Sequence, residues 1–155
     1  MDTITADKRT ARTPLEEATV EDAMTTGLIS CSPDTPLSDV ALTMASHNIH
    51  AVFVFDYERQ TDGTAELWGL VSDLDLVAAA CADVDSITAR ESSVTPLVTI
   101  GIHDCLEHAA QRMAETGVSH LAVLDTASGR PVGVLSTLDV VRYVADTVRG
   151  GSFTS

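Results

Sequence analysis

One segment of this chain occurs twice. Gly69-Leu70-Val71-Ser72-Asp73-Leu74-Asp75 is echoed by Gly133-Val134-Leu135-Ser136-Thr137-Leu138-Asp139. Both read glycine, two aliphatics, serine, a polar residue, leucine, aspartate. A branched apolar run that ends in serine is a strand running into a helix start. The echo extends upstream. Ala51 to Asp56 lies on His120 to Asp125 at an offset of 69, and that offset also pairs Leu37 with Leu106, Met44 with Met113 and Leu28-Ile29 with Leu97-Val98. Chance rarely sustains such a register without a gap. At the glycines the offset is 64, so the first copy holds five extra residues within Tyr57 to Leu67. That stretch is polar and contains Asp62-Gly63, as a strand-to-strand loop does.

A duplication limits what the fold can be. Each copy reads as a turn of helix, strand, helix, strand, strand, helix. The first copy has Val20 to Met24, Leu28 to Cys31, a helix capped by Thr35 with Pro36 at its first position, Ala51 to Phe55, Leu67 to Val71, and a helix opened by Ser72. The second has Ile87 to Ser92, Leu97 to Ile100, a helix capped by Asp104 and stopped by Gly117, His120 to Leu124, Pro131 to Leu135, and Thr137 to Val148. Leu37, Val40, Ala41, Met44 and Ala45 form one core face, and Leu106, Ala109, Ala110 and Met113 form its counterpart. A copy of some sixty residues buries little by itself. The two are therefore expected to pack together with pseudo-twofold symmetry. The expected domains are 20–82 and 83–149, between a mobile N-terminal tail (1–19) and a fraying C-terminal one (150–155).

The chain has 155 residues, 45% of them hydrophobic, with one tryptophan, so the core is aliphatic. A net charge of −14 argues against a nucleic-acid backbone or an anionic membrane surface as partner. Cys31, Cys81 and Cys105 are odd in number and widely spaced, which gives neither a disulfide framework nor a metal site; two lie in apolar runs and read as buried small residues. No signal peptide or long apolar span is visible, so the cytoplasm is the expected compartment.

Two units of this order, each with an aliphatic-Val-aliphatic-Asp strand and a closing Gly-aliphatic-x-Ser-x-x-Asp, resemble a tandem pair of CBS (cystathionine-β-synthase) domains. Val20-Glu21-Asp22-Ala23-Met24-Thr25 resembles the family's opening, and the similarity covers Val20 to Val148. The proline usual in the second strand is absent, with Phe53 and Ala122 in its place. The fold implied is α/β (α+β): a tandem CBS-domain pair of two β-α-β-β-α repeats. The function implied is a regulatory module that is not an enzyme. It binds an adenosine-containing ligand in the inter-repeat cleft, commonly dimerises, and signals to an effector protein in trans.

The chemistry of the echoed motif fits. An aspartate at the third helical position can accept ribose hydroxyls, and a serine at the helix start can donate to phosphate beside free backbone N–H groups. Ser72 with Asp75, and Ser136 with Asp139, meet that requirement. Ser-x-x-acid is equally a capping box, which stabilises a helix start with no ligand. Glycine three residues before each serine permits close approach to the backbone. By resemblance, His50-Ala51 and Ser119-His120 face the cleft, while Ile29 and Val98 hold the adenine. The plausible cations are His50, His120, Arg130 and Arg142, too few for a triphosphate in so acidic a chain. AMP, ADP or S-adenosylmethionine would be repelled less than ATP. The alternative is a ligand-free dimerisation module in which the Ser/Asp pairs are only caps. An enzyme built on Cys31, Cys105, His103 and His108 lacks a nucleophile–base–orienter set. No cofactor or metal is expected.

Overall fold

A computed structural model of the chain describes residues 13–56, 66–93 and 97–154. Its elements in order are α1 (Pro14–Glu17), α2 (Val20–Ala23), β1 (Thr25–Thr26), β2 (Ser30–Cys31), α3 (Leu37–His47), β3 (Ala51–Asp56), β4 (Glu66–Ser72), α4 (Asp73–Ala79), α5 (Ala89–Ser92), β5 (Thr99–Gly101), α6 (Leu106–Thr116), β6 (His120–Leu124), β7 (Pro131–Ser136) and α7 (Thr137–Thr154). The order of the repeat is thus present in both copies. The loop expected at Tyr57 to Thr64 lies outside the described residues.

Two compact units result. Residues 27–98 form one, and the segment up to Thr26 joins 99–155 in the other. In the first, β2 runs parallel to β3, and β3 antiparallel to β4. In the second, β5 is parallel to β6, β6 antiparallel to β7, and β1 adds antiparallel to the β7 edge. Each parallel pair is bridged by the long helix between its strands, as a parallel connection requires. Even the irregularity matches: the register shifts between Val54 and Phe55, and between Val123 and Leu124.

The composition of each unit reflects a reciprocal exchange. Val20 N–H donates to the Asp104 carbonyl at 2.8 Å, and Leu106 N–H to the Ala18 carbonyl at 2.9 Å. The equivalent bonds in the other unit run from Ala89 N–H to Thr35 and from Leu37 N–H to Ile87, both at 2.8 Å. The opening turn of each repeat therefore supplies acceptors and donors at the long-helix start of the other. These bonds satisfy helix-end groups that a chain terminus would leave open.

Each unit has an aliphatic centre. Leu37, Val40 and Met44 of α3 pack with Val52, Val54, Val71 and Ala89. Val20, Leu106, Ala109, Met113, Leu121, Val123 and Leu135 are buried in the other unit. Each such aliphatic contributes about 1.5–3 kcal/mol on burial. Ala41 and Ala45, expected on the core face of α3, are exposed. The buried stripe 37, 40, 44 is narrower than the sequence suggested.

Several ends differ from expectation by one or two residues. The N-cap of α3 is Pro36 and that of α6 is Cys105, neither with a side-chain cap bond. Asp104 instead accepts from Gly101 N–H at 2.9 Å. The C-terminal stops hold: Asn48 (φ 52) and Gly117 (φ 71) are left-handed and donate to Met44 and Met113 carbonyls. Part of the stretch read as a tail is ordered. Thr13 caps α1 in a capping box with Glu16, Ala18 is buried, and Thr19 bridges to Cys105. Helical backbone in α7 runs past Val148 to Thr154.

Candidate functional site

Antiparallel pairing assembles the same corner in both units. Ala51 is the register partner of Ser72, and His120 of Ser136. Asp73 N–H donates to the His50 carbonyl and Thr137 N–H to the Ser119 carbonyl, both at 2.9 Å. His50, Ala51, Ser72 and Asp75 thus share one strand end, and Ser119, His120, Ser136 and Asp139 share its counterpart. Ile29 lies at the same end of its sheet, since its carbonyl accepts from Phe53 N–H at 2.9 Å. Val98, half-buried, immediately precedes β5.

The corners are built as reciprocal caps. Ser72 N–H donates to Asp75 Oδ2 at 2.8 Å and Asp75 N–H returns to Ser72 Oγ at 3.3 Å. Ser72 Oγ also lies 3.0 Å from Asp75 Oδ2. In the other unit Ser136 N–H donates to Asp139 Oδ2 at 2.9 Å, and Asp139 N–H to Ser136 Oγ at 3.1 Å. The cap uses one oxygen of each carboxylate. Asp75 Oδ1 has no partner among the described residues, whereas Asp139 Oδ1 faces Thr25 Oγ1 at 3.5 Å.

The glycine before the second corner has a different use from the one anticipated. A Cβ on Gly133 would collide with the Thr25 carbonyl oxygen and Met24 Cε. What approaches this backbone is the chain's own β1. Thr25 was not among the sequence candidates, because a two-threonine strand has no hydrophobic period to reveal it.

The cations are distributed unevenly. His50 Nδ1 lies 3.1 Å from Asp73 Oδ2, with the two side chains 59% and 51% exposed. Asp73 is a second residue missed in the sequence, although its place directly after Ser72 puts it in the first turn beside whatever stands at position 50. His120 Nδ1 is 2.9 Å from Ser119 Oγ. Arg142 sits one turn beyond Asp139 on α7, exposed. Arg130 does not join this corner: it precedes β7 at the end opposite Ser136, about 20 Å along the strand.

The three thiols lie in unlike settings. Cys105 Sγ donates to the Leu15 carbonyl at 3.2 Å, and His103 pairs with Glu21 at 4.0 Å. Burial pushes the Cys31 thiol up, with a Thr35 hydrogen bond opposing. Cys81 is exposed rather than buried, because it lies past the end of α4. Among the described residues no group of three or more His, Cys, Asp or Glu is placed to hold a metal, and no helix is long and apolar enough to cross a membrane.

Comparisons with known proteins agree with this architecture. The family model described as CBS domain matches twice, over residues 20–81 and 89–146. The CBS domain pair of protein MJ0100, solved in complex with 5'-methylthioadenosine and S-adenosyl-L-methionine, superposes with a TM-score of 0.71 at 20% identity, covering 84% of this chain and 98% of its own. The CBS-domain containing protein ATU1752 from Agrobacterium tumefaciens gives 0.66 at 24% identity, with 80% and 89% covered. CBSX2 in complex with AMP gives 0.62 at 24% identity, with 83% and 97% covered. No curated protein matches.

Proposed function

The chain belongs to the CBS-domain family, and on that premise we propose that it is a regulatory module that binds an adenosine-containing ligand at its Ser–Asp corners. Occupancy is passed to an effector protein in trans, and the module is not an enzyme. The observation that carries this reading is the division of labour within each carboxylate. One oxygen of Asp75 is committed to the Ser72 cap and the other is unclaimed among the described residues. A ribose hydroxyl donating to that second oxygen would make a charge-assisted hydrogen bond without dismantling the helix start.

The chain's charge bears on the ligand. Net charge is −14, and His50 already faces Asp73. A polyphosphate would meet too little positive charge, so AMP or the cationic S-adenosylmethionine is preferred over ATP. Similar CBS pairs were solved with such compounds, 5'-methylthioadenosine and S-adenosylmethionine in one and AMP in another.

The module acts as a homodimer in this reading. Leu74 and Val77 of α4 are 64% and 67% exposed, and Leu138 and Val141 of α7 are 42% and 60% exposed. These are equivalent positions of the repeat. An exposed apolar pair retained in both copies supports an association surface rather than accident.

A second reading is supported by the completeness of both caps, which need no ligand: a dimerisation module with no small molecule. Calorimetry with AMP, ADP, ATP and S-adenosylmethionine separates the two. Binding that is lost in the Asp75→Asn/Asp139→Asn double variant supports the sensor. Absence of heat and of any melting shift with all four supports the ligand-free module.

A further inference from the structure

A cavity lies within the unit containing residues 99–155, at the opposite end of its sheet from Ser136. It measures about 310 Å³ and opens beyond the C-terminal ends of the parallel strands β5 and β6. That volume is at the small end of the range for small-molecule sites. Gly101 and Leu124 line it together with the polar side chains of Asp104, Arg112, Asp125 and Thr126.

The charges there are left open by the fold. The Arg112 guanidinium has no carboxylate within 4.0 Å and no side-chain hydrogen bond among the described residues, although two aspartates line the same cavity. Each aspartate is held by backbone beside it. Asp104 Oδ2 accepts from Gly101 N–H at 2.9 Å, and Asp125 Oδ2 accepts from Ser128 N–H at 3.1 Å and Ser128 Oγ at 2.8 Å. The other Asp104 oxygen has no partner among the described residues, and Asp125 takes a further backbone hydrogen bond from Ala127 and the attraction of His103. Both anions are therefore pre-positioned and both have acceptor capacity to spare.

The repeat separates what the fold retains from what it does not: Asp125 has its counterpart in Asp56, whereas Asp104 and Arg112 have no charged counterpart. Where the copies share core, they agree: Leu37 with Leu106, Met44 with Met113. At the same offset Asp104 corresponds to Thr35 and Arg112 to Thr43. One copy builds the same helix and strands without either charge.

We propose that this cavity binds a small zwitterion of the α-amino acid class, its carboxylate on the Arg112 guanidinium and its ammonium on Asp104 and Asp125. The ligand joins charges that are too far apart to pair with one another. A planar guanidinium takes a carboxylate in a two-pronged way, and a free ammonium supplies three donors for the two aspartate carboxylates. A simple anion would be repelled by the aspartates, and a simple cation would leave the Arg112 guanidinium without its partner. The site is separate from the Ser–Asp corners, so it survives if those bind nothing.

The test uses the full chain labelled with 15N and each common α-amino acid in turn at millimolar concentration. At least one amino acid moves the Gly101, Thr126 and Gly129 amide signals saturably, while acetate alone and methylamine alone do not. Arg112→Gln, an exposed position on α6, weakens that binding about tenfold or more. Asp104→Asn, which keeps an acceptor for Gly101 N–H, weakens it also. The proposal is overturned if no amino acid moves those signals, if acetate reproduces the shifts, or if Arg112→Gln binds as well as the parent.

Discussion

Thr25 Oγ1 stands 3.5 Å from Asp139 Oδ1, while Asp75, the equivalent acid of the other repeat, has no such neighbour among the described residues. Two corners with the same cap therefore present different carboxylates. A ligand hydroxyl reaching Asp139 Oδ1 competes with a threonine; one reaching Asp75 Oδ1 does not. The corners are expected to bind an adenosyl ligand unequally, Asp75 more tightly by a few-fold, since a hydroxyl–carboxylate hydrogen bond at the long end of its range contributes about 0.5–1.5 kcal/mol. Thr25→Val should raise affinity at the Asp139 corner only, as read by calorimetry in an Asp75→Asn background. Equal affinities before and after that substitution would count against this.

The same strand makes Gly133 intolerant of a side chain. Its Cβ would strike the Thr25 carbonyl and Met24 Cε, both on the short segment paired to β7. Gly133→Ala should cost about 1–3 kcal/mol in stability by urea denaturation, through loss of β1 pairing. Gly129→Ala is a useful contrast: nothing lies near its Cβ, and any cost comes from its φ of 71. A Gly133→Ala variant as stable as the parent would show that β1 does not sit against β7.

How much of this was visible in the residues? The duplicated register exposed the element order, the long-helix stripes and both Ser–Asp pairs, because periodicity and capping chemistry are local. The reciprocal exchange of opening turns was not visible. It depends on bonds such as Val20 N–H to Asp104 O, between segments far apart in sequence with no side-chain signature. Asp73 and Thr25 were missed for a related reason: each matters through a partner on another element. Arg130 was grouped with the corner on charge alone, and the length of β7 separates them.

Acid titration should single out Asp125. Its carboxyl is held below the usual carboxylate range by the hydrogen bonds from the Ser128 hydroxyl and backbone, with His103 adding a small attraction. A depressed folded-state value means that its stabilising contribution is present above the ordinary aspartate range. That contribution is lost as pH falls through the lower folded value. A 13C titration should find the Asp125 midpoint lower than that of free aspartate, and Ser128→Ala should raise it. An unchanged midpoint in Ser128→Ala would assign the shift elsewhere.

Thiol reactivity should rank by environment. Burial holds Cys31 in its protonated form to higher pH, and Cys81 is exposed. At mildly alkaline pH, Cys81 should alkylate first and Cys31 much more slowly, because the thiolate is the nucleophile. Peptide mapping by mass spectrometry reads the order; Cys31 labelling first would contradict it.

The apolar pairs on α4 and α7 give a test of association. Replacing Leu138 and Val141 by aspartate should leave the fold intact, since both are exposed, and convert a dimer to a monomer by light scattering. A dimer that persists in this variant and in Leu74→Asp/Val77→Asp would place the interface on another surface.

The most direct test follows the Ser72 and Ser136 amides, which donate to the two capping carboxylates, in 15N spectra as AMP or S-adenosylmethionine is added to the full chain. The account predicts saturable shifts at both amides with at least one compound, abolished at Ser72 by Asp75→Asn and at Ser136 by Asp139→Asn. Spectra that stay unmoved up to millimolar ligand, or shifts that appear only away from these two residues, would contradict it.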